Sequence, residues 1–285
     1  MFDAIRVGSL LQGSARYDRY ARPLATEVLA LRAAGALKIS HRLHLRAEIC
    51  SDTLPDELAE FSPADDVGIV SLMDHTPGQR QFRDINKLAG YVMARHQLTK
   101  GQFADHVAQL QALSARVAVG HRAVALAEAA RIGAVLASHD DSDLAQVAAS
   151  ALAGMRLAEF PATIEAAQAF RDHGIAVMAG APNLIRGGSH AGNLAAGALA
   201  DAGLIDIISS DYVPAALLNA ALVPGDRWGD MARAVATVTA SPAAAAGLAD
   251  RGRIWPGLRG DVIRVARVSG AAAVRGVWVA GNRVA

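Results

Sequence analysis

Glu48, His75, His139 and Asp211 offer carboxylates and imidazoles, the donor set of zinc and similar first-row divalent ions. Each stands where an apolar segment runs out. Val67, Ile69, Val70, Leu72 and Met73 form a β-branched run that ends at Asp74-His75-Thr76-Pro77-Gly78, a polar turn that cannot extend a strand. The layout recurs at Ala137-Ser138-His139-Asp140-Asp141 and at Ile208-Ser209-Ser210-Asp211. One such residue alone reads as a polar cap on a strand end. Four together point to a common cation site, where a bound metal lowers the pKa of water to about 7. Asp74 and Asp140, beside the histidines, are expected to accept the second N–H of the ligand imidazoles, and Asp141 is a further candidate for that role.

A second group suits anions. Arg186-Gly187-Gly188-Ser189-His190 lies between a strand and a helix start, where glycines allow close backbone approach, Ser189 can cap the helix and its N-terminus attracts negative charge. Gly-Gly-Ser with one arginine is also an ordinary turn. Arg46, Arg80 and Arg83 add guanidiniums whose planar forks match phosphate oxygens, though each is equally readable as a surface charge. Arg46 shares a strand face with Glu48, which favours the site. His44 reads as a core histidine and Cys50 as a passive thiol. His96, His106, His121 and His173 fall in helices and read as surface or packing residues.

Periodicity supplies the elements that must position these groups. Residues 39–49 alternate, with Arg42, His44, Arg46 and Glu48 on one face and Leu43, Leu45 and Ala47 on the other. Further strands are expected over 1–8, 67–73, 132–138, 156–160, 174–180 and 204–210. Helices are expected over 17–34, 142–154, 163–173, 192–202, 214–222 and 231–248, with a helical hairpin over 84–131 broken near 99–101. Apolar strands separated by helices make a parallel sheet. A doubly wound open sheet is the rival of a (β/α)8 TIM-type barrel. Site residues on strand ends scattered along the chain favour the barrel, since an open sheet gathers them at one switch point. One strand of eight is then expected before Met1, and 186–190 becomes the loop after strand seven, a common phosphate position. The expected organisation is a barrel domain over 1–248 lacking its first strand. Short β segments at 252–254, 260–265 and 274–284 would form part of a small β-sandwich over 249–285.

Bulk composition narrows the partners. The chain has 285 residues, a formal net charge of +1 and 52% hydrophobic residues, so no strong field recruits nucleic acid or an acidic membrane. Its single cysteine excludes an internal disulfide and fits a reducing compartment. No basic-then-apolar leader opens the chain, and Glu128 and Arg131 interrupt the most apolar tract, 123–137. A cytoplasmic location follows by elimination.

The motifs at 41–48 (His-Arg-Leu-His-Leu-Arg-x-Glu), 70–82, 137–141, 180–190 and 209–212 resemble those of the α-D-ribose 1-methylphosphonate 5-triphosphate diphosphatases. These are members of the amidohydrolase superfamily that serve the bacterial carbon–phosphorus lyase pathway. The resemblance implies a metal-dependent hydrolase, zinc-type, on a barrel with a small flanking β-sandwich. It would act on a phosphorylated sugar, releasing pyrophosphate from the triphosphate and leaving the 5-phosphate. It assigns Glu48, His75, His139 and Asp211 to the metal, Asp211 also to the proton of the attacking water, and Arg46, Arg80, Arg186, Ser189 and His190 to phosphate or phosphonate oxygens. The first-strand His-x-Asp pair of this family does not occur before residue 41, nor do the N-terminal sandwich strands. The chain therefore reads as N-terminally truncated, with two open barrel edges. A C–N hydrolase or deaminase on the same scaffold, and a barrel that only binds a partner, are the rivals; homo-oligomerisation stays open.

Overall fold

The computed structural model describes residues 1–8, 19–189 and 193–285, and the chain divides into two units, Met1–Met155 and Arg156–Ala285. The first unit runs β1 (Phe2–Val7), α1 (Ala21–Ala33), β2 (Arg42–Glu48), α2 (Leu54–Ala59), β3 (Val67–Met73), α3 (Ile85–His96), α4 (Lys100–Ile132), β4 (Val135–His139) and α5 (Leu144–Leu152). Its four strands pair in parallel and in chain order. That sequential order is the barrel's; a doubly wound sheet would reverse direction at a switch point.

Alternation decides which side chains reach the site. Ile5 and Val7 of β1, Leu43, Leu45 and Ala47 of β2, and Val70 and Leu72 of β3 are buried on one face. They pack against Ala21 and Ala25 of α1, Leu54 and Leu58 of α2, and Ala125 and Ala129 of α4. The opposite face carries Arg6, His44, Arg46, Glu48, Ser71 and His139. In the register Arg6 stands beside Arg46, Arg46 beside Ser71, and Ser71 beside Ala137. The polar face of residues 39–49 is therefore an interior one, and His44 is the expected core histidine, its Nε2 2.9 Å from Ser71 Oγ.

The long helix α4 obeys its end signals. Thr99 and Gln102 form a reciprocal capping box, and Gly133 closes the helix at φ 74°, a left-handed position that only glycine adopts freely. The break expected near 99–101 is this cap. Asp84, Asp143 and Thr163 cap α3, α5 and the first helix of the second unit in the same way.

The second unit contains β5 (Leu157–Glu159), α6 (Ile164–Asp172), β6 (Ala176–Gly180), α7 (Ala181–Arg186), α8 (Ala196–Asp201), β7 (Ile207–Ser209), α9 (Leu217–Trp228), α10 (Met231–Ala236) and α11 (Ala240–Ala245). It closes with β8 (Val262–Val268), β9 (Ala271–Val279) and β10 (Asn282–Arg283). β5, β6 and β7 are parallel and again sequential, while β8–β10 form an antiparallel sheet. Two expectations change. Residues 252–254 form no strand, since the chain turns at Gly252 (φ 91°). The tract after β6 is a short helix, α7, rather than a loop, with Pro182 in its first turn. No helix among the described residues is long and apolar enough to cross a membrane.

Asp66 ties α1 to β2. Its carboxylate accepts from Arg42 Nε (3.1 Å) and Nη2 (2.6 Å) and from Arg32 Nη1 (2.9 Å). Partial burial would raise its pKa, but the two guanidiniums outweigh that and hold it below the ordinary carboxylate value. A depressed native pKa means that the contribution is complete above the unfolded value, about 3.9, and is lost as pH falls through the lower native value. Asp66→Asn should therefore destabilise the chain at pH 7 and flatten its acid limb below about pH 4. Urea melts across that range test this, and an acid limb identical to wild type would refute the assignment.

Candidate metal centre

The end of β3 and the end of β4 bring His75, His139 and Asp140 together, with one ligand atom from each lying within 4.8 Å of the others. The two imidazole centroids are 6.2 Å apart, and Phe82 packs 5.5 Å from the His75 ring. His139 Nε2 lies 3.2 Å from Asp140 Oδ2 and 3.3 Å from Arg46 Nη2. Donors that already draw a guanidinium nitrogen against an imidazole nitrogen are electrostatically prepared for a cation. Imidazole plus carboxylate is also the donor chemistry of zinc. Burial disfavours the charged form of Asp140, yet His139, His75 and Arg46 outweigh it and hold the carboxyl below its ordinary value.

Glu48 enters through His75. It is wholly buried, and its Oε1 accepts the backbone N–H groups of His75 (3.2 Å) and Cys50 (3.3 Å). Its Oε2 accepts from Arg6 Nη2 (3.3 Å) and contacts His75 Nδ1. Burial pushes the Glu48 pKa up, but His75 and Arg6 together with the hydrogen bonds bring it below its ordinary value. An ionised carboxylate only accepts, so His75 Nδ1 carries the proton and Nε2 is left to face the cluster.

The other expected residues fall as follows. Asp74 Oδ1 accepts from the Thr76 N–H (3.0 Å), shaping the turn after β3. Arg80 is buried at φ 48° and its Nη1 donates to His139 O (2.8 Å) and to Asp141, so it grips the segment that carries His139 and Asp140. Arg83 is exposed. Cys50 is buried against Leu110 O (3.5 Å), and burial together with the Glu48, Asp74 and Asp52 charges raises its pKa to about 11, the passive thiol expected.

In the second unit Asp211 follows β7 at φ 49°, its N–H donating to Ser209 Oγ (3.1 Å). A Cβ on Gly180 would stand 3.3 Å from Asp211 Oδ2 and 3.5 Å from the Phe160 ring, so the bare glycine makes room for both. Arg186 Nε and Nη2 donate to Gly188 O (3.3 and 3.0 Å), folding this side chain over its own loop. Ser189 does not cap α8, whose N-cap is Ala195. Asn183 does that work from α7, accepting the Ala196 N–H (3.0 Å) and donating to Leu194 O (3.1 Å). His190 lies outside the described residues. The residue that sequence reasoning missed is Arg6; the cue was its parity on β1, opposite to Ile5 and Val7.

No protein-family model matches the chain. It is 40% identical over 289 aligned positions to an Escherichia coli (strain K12) protein named alpha-D-ribose 1-methylphosphonate 5-triphosphate diphosphatase, covering 100% of this chain and 76% of that one. The crystal structure of a prolidase complexed with N-methylphosphonate-L-proline superposes with a TM-score of 0.58 at 12% identity, over 99% of this chain and 85% of that one. The second likeness shows a shared fold.

Arg80 and Asp141 are a buried ion pair, so removing one partner strands the other charge. Arg80→Met should lower stability by about 3–5 kcal/mol, measured by urea denaturation. A loss no larger than that of an exposed arginine would show that this grip is absent.

Proposed function

Because this chain belongs to the alpha-D-ribose 1-methylphosphonate 5-triphosphate diphosphatase family, we propose that it hydrolyses such a sugar triphosphate to the 5-phosphate and pyrophosphate. The observation that carries the reading is the His75–His139–Asp140 cluster at adjacent strand ends of a chain with this kinship. In the proposed site His75 and His139 hold a zinc-type ion with Asp140, Glu48 acts by orienting His75, and Asp211 contributes from the second unit. Such an ion supplies Lewis acidity and a more acidic water.

The chain's own groups do the remainder. The water oxygen forms a bond to the α-phosphorus as the bond from that phosphorus to the α–β bridging oxygen breaks, and that oxygen leaves with pyrophosphate. The water proton passes to the Asp211 carboxylate. Arg46, beside His139, neutralises charge gathering on the phosphoryl oxygens, and Arg186, Ser189 and His190 hold the phosphate or phosphonate ends. Arg80 serves by fixing the loop that presents His139 and Asp140. Residues 249–285 form a small flanking β domain that takes no part in the chemistry.

Phosphorus NMR of the zinc-loaded chain with α-D-ribose 1-methylphosphonate 5-triphosphate tests this directly. Pyrophosphate and a 5-phosphate resonance should appear together. Asp211→Asn should slow turnover by about 100-fold or more while keeping its zinc, and His139→Ala should lose zinc by elemental analysis. Unchanged phosphorus resonances with folded, zinc-loaded chain would overturn the proposal.

A further inference from the structure

Arg6 belongs to none of the motifs above, yet its side chain sits on the same sheet face as the cluster. β1 and β2 are parallel with Arg6 directly beside Arg46, two like charges in one layer. Neighbouring like charges repel unless each is answered by an acid. The two are answered separately. Arg46 Nη2 meets His139 Nε2, and its charge helps keep Asp140 ionised. Arg6 Nη2 meets Glu48 Oε2 at 3.3 Å, with the Arg6 side chain 24% exposed and that of Glu48 0%. The same Glu48 oxygen contacts His75 Nδ1.

We propose that Arg6 is a positioning residue: its guanidinium fixes the Glu48 carboxylate, which fixes the His75 ring so that Nε2 faces the cation site. A carboxylate held on one side only could rotate about its last bond and let the imidazole swing. Pinned by Arg6 on one side and by two backbone N–H groups on the other, it offers His75 a single hydrogen-bonding direction. The guanidinium suits the task because its charge persists at every working pH and its fork is rigid. The consequence for metal rests on the reading in the preceding section; the orientation itself does not.

The test therefore begins without metal. In the metal-free full chain labelled with ¹⁵N-histidine, the carboxylate-bonded Nδ1–H of His75 should give a downfield proton line, assigned by its loss in His75→Asn. Arg6→Met should shift or broaden that line, and Arg6→Gln should do the same if Arg6→Met does not fold. Arg6→Lys, which keeps the charge, should stay nearer to wild type. Zinc affinity, measured by chelator competition, should fall about tenfold in Arg6→Met and less in Arg6→Lys, with far-UV circular dichroism unchanged. Absence of the line in wild type, or an unmoved line with unchanged zinc affinity in folded Arg6→Met, would overturn the relay. So would a raised KM for the triphosphate with the line unmoved, because Arg6 would then be touching substrate. A line that moves in Arg6→Met while wild type takes up no zinc supports the relay and removes only the metal reading.

Discussion

A carboxylate sealed from water must find every partner inside the protein, and the first unit is arranged around one that does. Glu48 is reached by a guanidinium, an imidazole and two backbone N–H groups. Without them an ionised carboxyl in that position would cost several kcal/mol and take up a proton instead. With them it stays charged and dictates which nitrogen of His75 carries hydrogen. The ring's other nitrogen then faces His139 and Asp140.

That arrangement depends on the pleat. β2 sends Leu43, Leu45 and Ala47 into the helix-packed core and, one residue out of phase, His44, Arg46 and Glu48 to the opposite face. The apolar side anchors the strand in register, because a slip by one residue would bury three polar groups and expose three apolar ones. The precision of the site is thus borrowed from the core behind it. Arg80 extends the same logic to a loop, clamping the backbone after β4 through His139 O and Asp141.

Much of this was legible in the residues. Apolar runs that stop at Asp-His or Ser-Asp mark strand ends, and parity within residues 39–49 correctly separated core from interior polar face. The α4 hairpin was readable from Thr99, Gln102 and Gly133. What escaped depends on contacts distant in sequence or on backbone angles. α7 is under two turns long, and Asn183 builds the entry to α8 through tertiary bonds that no local pattern announces. Arg6 sits on a short strand whose partner row is known only once β1 is set beside β2. Asp140 read as a partner for the histidine's far nitrogen, since in an extended chain it would point away from His139. Its left-handed backbone, φ 56°, swings the carboxylate back to the same side.

That left-handed habit recurs at Arg80, Phe160 and Asp211, each close after a strand or in a turn beside one. Side chains with a Cβ resist this conformation at a cost of about 1 kcal/mol apiece, whereas glycine adopts it freely. At Asp140 and Asp211, relaxation and loss of the reactive group would arrive in the same replacement, and aspartate and glycine codons differ by a single nucleotide. A sturdier, idle descendant is therefore never far away in mutational space, and only selection on turnover keeps lineages from drifting there.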